Sequence, residues 1–319
     1  MTDPTEGRLR LTILGGFLGS GKTTWLRHQL HKRAFGRVHV IVNEAAEAPV
    51  DDALLTAADQ MTLLAGACVC CEARDDLRRT LLSLCDQRSR IADPAQRLEN
   101  IVLETSGLAD PAAILEVIQS DPILARQIVV AEVIVVIDAL NARDQMQQEA
   151  LSRAQVEAAD RLILTKTDLA PPDRTAQLRA TLQQAAPGAA QSAAVFGSGL
   201  ELADVAADTQ PFALPDLAGQ DAAPIAASQL DLGDTPDWTA FTVWLSALLY
   251  ARGDQIVRVK GVVRTPAGRL LLQAVRRSVQ SPEILPPQGG PERSDNEVAV
   301  IGRGFTQDQL VASLARFSA

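Results

Sequence analysis

The sequence predicts an α/β protein, with a larger domain built on a mostly parallel sheet covered by helices on both faces and a smaller α+β domain after it. Three observations carry this. Strand-like apolar runs alternate with stretches of helical periodicity through about residue 200, the pattern of strands joined by helical crossovers. A complete G-x-x-x-x-G-K-T sequence, Gly16-Phe17-Leu18-Gly19-Ser20-Gly21-Lys22-Thr23, stands between the first such strand and the first such helix. From about Ala203 to Asp231 the texture changes to Ala, Pro, Asp, Gln and Gly, as in a linker. At 319 residues the chain is also long for one core. The expected division is therefore 1–202, a linker at 203–231, and 232–319.

Taken in order, the strand candidates of the first part are Leu11–Leu14, Val38–Val42, Met61–Leu64, Ile101–Leu103, Ile128–Ile137 and Leu162–Leu164. Helical periodicity marks Thr24–Arg33, Asp75–Leu84, Ala112–Ile118 and Thr175–Ala185. In the second part, Trp238–Tyr250 reads as a helix. Ile256–Val263 and Leu270–Val275 read as strands joined by the turn Pro266-Ala267-Gly268, and Glu297–Ile301 as another strand. A closing helix runs to Phe317 with Thr306 as its N-cap.

The glycine motif is a phosphate-binding loop in the setting its chemistry requires, which makes the larger domain a P-loop NTPase. Glycines let successive backbone N–H groups turn onto phosphate oxygens, and the helix N-terminus adds partial positive charge. Gly16, Gly19, Ser20, Gly21 and Thr24 frame the loop, Lys22 reaches the terminal phosphates, and the Thr23 hydroxyl ligates Mg²⁺. Glu104, closing the strand Ile101-Val102-Leu103, occupies the acidic position that orients water around Mg²⁺, and the Gly107 backbone is placed to sense a γ-phosphate. Thr165-Lys166-Thr167-Asp168, after strand Leu162–Leu164, fills the base-recognition slot that usually reads Asn-Lys-x-Asp. There the Asp168 carboxylate accepts two hydrogen bonds that guanine offers and adenine does not, while the Lys166 stem packs on the base. The expected nucleotide is GTP.

Three of the four cysteines fall in Cys68-Val69-Cys70-Cys71. Adjacent Cys70 and Cys71 bridge only with strain, whereas three clustered thiolates suit a soft divalent ion with one coordination position left open. Cys85, beside Leu81 and Leu84 on an apolar helix side, reads as core. His28 and His31 share a helical face and read as a solvated surface rather than a ligand pair.

The bulk numbers exclude several partners. A net charge of -9 with no basic run argues against nucleic acid and against an anionic membrane surface. The first residues lack the apolar core of a signal peptide, and the run Ile128–Ile137 is too short to span a bilayer. The expectation is a cytoplasmic protein, in which thiols stay reduced.

Together these residues resemble the CobW-type family of metal-handling GTPases, which includes nitrile hydratase activators, over nearly the whole chain. Gly15 to Thr24 looks identical to the family's phosphate loop, Cys68-Val69-Cys70-Cys71 looks like its C-x-C-C motif, and Glu104 to Pro111 its acidic switch. Arg258-Val259-Lys260-Gly261 resembles a signature of the family's C-terminal domain. The resemblance implies GTP hydrolysis coupled to delivery of a metal, often zinc, to a client protein. Where the family shows N-E-F-G-E, this chain has Asn43-Glu44-Ala45-Ala46-Glu47, so both carboxylates survive and by resemblance Glu44 or Glu47 helps ligate metal, but the glycine is lost. Histidine-rich loading stretches are absent, and Thr165 replaces the usual Asn. A thiol-based redox or metal sensor with structural nucleotide binding is the competing reading, and a small-molecule phosphotransferase a third. The client and the oligomeric state are not indicated by the sequence.

Overall fold

The apolar runs become the strands of two separate sheets in the computed structural model, which describes residues 8–44, 60–65, 71–215, 226–253, 255–275, 278–279, 282–285 and 295–317. The chain divides into two compact units, one within Leu9–Gln220 and one within Asp221–Ala319.

The first unit holds β1 (Leu9–Gly15), β2 (Val38–Glu44), β3 (Gln60–Ala65), β4 (Asn100–Glu104), β5 (Ile128–Asp138), β6 (Arg161–Thr165), β7 (Ala190–Val195) and β8 (Ser198–Leu200) in one sheet of order β3-β2-β4-β1-β5-β6-β7-β8. Every neighbouring pair is parallel except β7 and β8. Parallel strands need crossovers, and these are α1 (Lys22–His31), α2 (Cys71–Arg90), α3 (Pro111–Ser120), α4 (Pro122–Gln127), α5 (Ala142–Gln148), α6 (Ala150–Glu157) and α7 (Pro172–Ala185). α1 lays Trp25, Leu26 and Leu30 on a face formed by Val40, Val102, Val136 and Ile163. Burial on both faces explains why the central strands read as continuous apolar runs rather than alternating ones. Glu132, in the middle of β5, is met by Arg161 of β6 through a two-pronged ion pair. Asp110 and Asp121 cap α3 and α4 by accepting N–H bonds two residues on, each followed by proline at the first helical position.

The second unit is an antiparallel sheet, β12-β11-β10-β14-β9, with β13 also on β11. Its strands are β9 (Ala226–Asp231), β10 (Ile256–Thr265), β11 (Gly268–Val275), β12 (Ser278–Val279), β13 (Glu283–Leu285) and β14 (Glu297–Gly302). One face is covered by α8 (Trp238–Arg252) and α9 (Gln307–Ala315), whose Phe241, Trp244, Leu245 and Leu310 pack on Val259, Val263, Val298 and Val300. Trp244 donates to Ser313 Oγ at 3.1 Å and ties the helices together. Thr306 caps α9 in a full capping box with Gln309. Asp295 is buried between Arg264 and Arg269; burial alone would raise its pKa, but hydrogen bonds from both arginines hold the carboxyl below its ordinary range.

The structure differs from the sequence expectation at weakly patterned segments. The stretch 203–231 ends in a strand, β9, because Ala-Ala-Ser-Gln-Leu-Asp buries Ser228 and Leu230 in alternation against β14. β7 and β8 carry Ala, Ser and Gly, too small to announce a strand. α2 runs past Leu84 to Arg90 on exposed polar residues.

The Arg258-to-Gly261 signature has a structural reason. At Gly261 a Cβ would stand 2.5 Å from Glu297 O and 2.8 Å from Val298 Cα, so β14 approaches β10 closely there. Gly261→Ala is expected to destabilise the second unit by about 1–3 kcal/mol, read as a lower midpoint in urea unfolding. An unchanged midpoint would show that the close approach relaxes at no cost.

Candidate functional site

The loop between β1 and α1 is shaped by glycine. Gly16 takes φ 137° and Gly21 φ 90°, conformations costly for any side chain. At Gly16 a Cβ would also lie 2.4 Å from Val136 O and 2.8 Å from Ser20 Oγ. The loop is closed by Ser20 N–H on Phe17 O at 3.2 Å, and α1 opens with Trp25 N–H on Gly21 O at 2.9 Å. Lys22 folds back over it, its ammonium donating to Gly16 O at 2.9 Å and Phe17 O at 3.1 Å.

Beside the loop, the parallel register pairs Leu14 of β1 with Glu104 of β4. Both strands therefore end together, and Thr23 at the start of α1 reaches Glu104. The Thr23 hydroxyl donates to Glu104 Oε1 at 2.5 Å. Glu104 is only 4% exposed. A hydroxyl and a buried carboxylate side by side are hard oxygen donors of the kind Mg²⁺ takes, so these residues fit the ion that the sequence implies. The cleft around them measures about 320 Å³ and is lined by Gly19, Gly21, Lys22, Thr23, Thr24, Asn43, Glu104 and Gly107, among others. Val42 of β2 registers with Glu104, which brings Asn43 to the same rim. Gly107 lies against the phosphate loop, its position for a Cβ 2.7 Å from Leu18 N. Ser20 is buried behind the loop.

The base-recognition segment leaves β6 two strands from β1. Thr165 is buried and donates its hydroxyl to Ser20 O at 2.7 Å. Lys166 takes φ 57° and donates to Gly19 O at 2.9 Å and to Asp138 Oδ2 at 2.7 Å. Asp138 is 2% exposed. Burial would raise its pKa, but hydrogen bonds from Lys166, Asn141 and the Leu140 N–H hold it below the usual carboxylate range. Asp168 is exposed.

The site predicted from sequence is thus partly assembled: Lys22, Thr23, Thr24, Glu104 and Gly107 share one cleft, and Lys166 meets the loop at Gly19. The metal half is not described. Glu47, Cys68 and Cys70 lie outside the described residues, as do the side chains of Glu44, which closes β2, and Cys71, which opens α2. Among the described residues no group of three or more His, Cys, Asp or Glu side chains is placed to hold a metal ion. Cys85 is buried, and burial pushes its thiol up to about 11, an inert core cysteine. His28 sits under the β7–β8 turn, its Nε2 3.4 Å from Ser198 Oγ. Sequence reasoning missed Asp138. A signal existed, since an acidic residue closing a buried parallel strand lies at the ligand-binding edge of the sheet.

Comparison with known proteins matches residues 10–192 to the CobW/HypB/UreG nucleotide-binding domain and 227–318 to the cobalamin synthesis protein CobW C-terminal domain. The chain belongs to the CobW/HypB/UreG family. It is 30% identical to the zinc chaperone YjiA of Escherichia coli K12 over 96% of this chain and 98% of that one. It is 28% identical to the zinc chaperone CobW of a Sinorhizobium species, over 85% and 86%. The crystal structure of Zn(II)-bound YjiA GTPase from E. coli superposes with a TM-score of 0.58 at 25% identity, covering 97% and 99%; a Zn(II)-bound triple mutant of YjiA gives 0.61 at 26%.

In this CobW-family chain the threonine at the base-recognition slot has a visible task, tying β6 to the phosphate loop through Ser20. Thr165→Val is expected to lose about 1–2 kcal/mol of stability by leaving a buried carbonyl poorly served, and to weaken GTP several-fold in calorimetric titration. Thr165→Ser retains the hydroxyl and should bind as wild type does. Equal binding by the valine variant would remove the tie from the account.

Proposed function

We propose that this P-loop GTPase is a metallochaperone or metalloenzyme activator, which holds a thiophilic divalent ion, zinc, on Cys68, Cys70 and Cys71 and hands it to a client protein as GTP is hydrolysed. The observation that supports the coupling is the register of β4, β2 and β3. Val42 pairs with Glu104, Asn43 with Leu64, and Glu44 with Ala65. The strand that leads into the cysteine segment therefore ends at the same edge of the sheet as the nucleotide cleft, two strands from the catalytic carboxylate.

On this reading the division of labour is as follows. Gly16 to Gly21 and the N-terminus of α1 hold the phosphates, and Lys22 offers its ammonium to the β- and γ-oxygens. Thr23 and Glu104 would hold Mg²⁺, which when bound neutralises charge developing on the transferring phosphoryl group. Asp168 selects guanine and Lys166 supports the base. Three cysteine thiolates are soft donors, matched to zinc and mismatched to Mg²⁺, so the two ions sort by chemistry. Glu44 or Glu47 supplies a further oxygen ligand on this reading. The names of the similar proteins, zinc chaperone and, for a Schizosaccharomyces pombe relative of which this chain spans 44%, zinc-regulated GTPase metalloprotein activator, point the same way. Among the described residues no helix is long and apolar enough to cross a membrane. Reduced thiols require a reducing compartment, and the cytoplasm meets that need.

The test is steady-state GTP hydrolysis with zinc and with chelator, in wild type and Cys70→Ala. The expected result is a rate that shifts several-fold with zinc in wild type and not in the variant. Identical rates with and without zinc would break the coupling. Negligible turnover with reversible thiol oxidation under mild peroxide would favour a redox sensor instead.

A further inference from the structure

The turn after β4 is held from two sides. Toward the cleft, Gly107 is pressed on the phosphate loop, with no room for a Cβ against Leu18 N and Leu18 Cα. From behind, Gln155 of α6 donates from one carboxamide nitrogen to Gly107 O at 3.1 Å and to Ala109 O at 2.8 Å. Gln155 is 1% exposed. The turn is closed on itself by Ala109 N–H on Ser106 O at 3.0 Å. Both hydrogens of one buried amide are thus committed to two carbonyls of a single turn, some fifty residues away in the chain. Burying an amide without partners is costly, so Gln155 favours the turn in this one position. Without it, the turn would hang on Ser106 and on a glycine, the residue with the most conformations to lose. α6 also feeds directly into β6, whose Thr165 hydroxyl meets Ser20 O. One helix–strand unit therefore braces the turn at Gly107 and the phosphate loop at Ser20.

We propose that Gln155 is the positioning residue of the γ-phosphate turn, fixing Gly107 so that the protein distinguishes GTP from GDP. The proposal rests on the reading of Gly107 as the γ-phosphate contact. Gln155 itself does not touch nucleotide; it acts through the backbone of Gly107 and Ala109. Preorganised backbone donors are effective because no binding energy goes into arranging them.

The experiment compares GTPγS and GDP affinity, with kcat and KM for GTP, in wild type, Gln155→Leu, Gly107→Ala and the double variant. Leucine keeps the approximate volume and removes both donors; Gln155→Met carries the same comparison if the leucine variant fails to fold. The expected result is about a tenfold loss of GTPγS affinity with GDP within twofold, the size of one to two net hydrogen bonds. KM for GTP rises in step with the loss of GTPγS affinity and kcat falls as well, and the double variant is no worse than Gly107→Ala, because both lesions act through one turn. A GTPγS-to-GDP ratio within twofold of wild type, parallel weakening of both nucleotides, or fully additive losses would each overturn the proposal. Failure of the underlying reading looks different: wild type itself would bind GTPγS and GDP alike, and both ideas would fall together.

Discussion

The hydrogen bond from Thr23 to Glu104 Oε1, 2.5 Å long, is the constraint around which the first unit is organised. It joins the start of α1 to the end of β4, two elements 81 residues apart in the chain. For it to form, β1 and β4 must lie parallel and end in register, and the loop between β1 and α1 must turn sharply enough to aim α1 back over the strand ends. The first demand makes β4 a parallel neighbour of β1, and the second calls for the glycines. Glu104 is a buried carboxylate, and such a group is costly without a donor. Thr23 therefore serves the fold and the chemistry at once. The remaining contacts of the cleft are consequences: Asn43 arrives because β2 pairs with β4, and Gly107 because the turn after Glu104 must pass the loop.

The same geometry explains why some of the site was legible from residues alone. The phosphate loop, Glu104 and the base-recognition segment each sit at the carboxyl end of an apolar run, where a parallel sheet gathers its functional groups. Their roles depend on local sequence plus that one rule. The helix start at Thr306 was legible for a similar reason, since a cap is a local event. Gln155 was not legible. It lies on a helix with no motif, and its importance exists only once the fold brings it to Gly107. Asp138 falls between these cases: its position was visible, but its pairing with Lys166 depends on β5 and β6 being neighbours. β7, β8 and β9 were obscured by small residues, whose burial comes from the strands beside them rather than from their own hydrophobicity.

The departures from the family pattern gain physical content here. Thr165, in place of asparagine, is a buried hydroxyl joining β6 to Ser20. Lys166 then stands in a left-handed conformation, held between Gly19 O and Asp138. The turn after β6 is thus fastened to the phosphate loop at two successive residues, Thr165 on Ser20 O and Lys166 on Gly19 O. The second unit contributes a close approach at Gly261, a packing requirement between β10 and β14.

β3, which leads into the cysteine segment, ends at the same edge of the sheet as the cleft, and the function proposed above requires metal and nucleotide to bias each other's binding. Cobalt(II) titration of the purified protein with GTPγS, GDP or no nucleotide tests this most directly, because sulfur-to-cobalt absorption counts the thiolate ligands while the midpoint measures affinity. The expected result is charge-transfer bands from three thiolates and a cobalt affinity that differs between the GTPγS and GDP forms by fivefold or more, on the order of 1 kcal/mol of coupling. Identical midpoints in all three nucleotide states would contradict it, as would spectra without sulfur ligation.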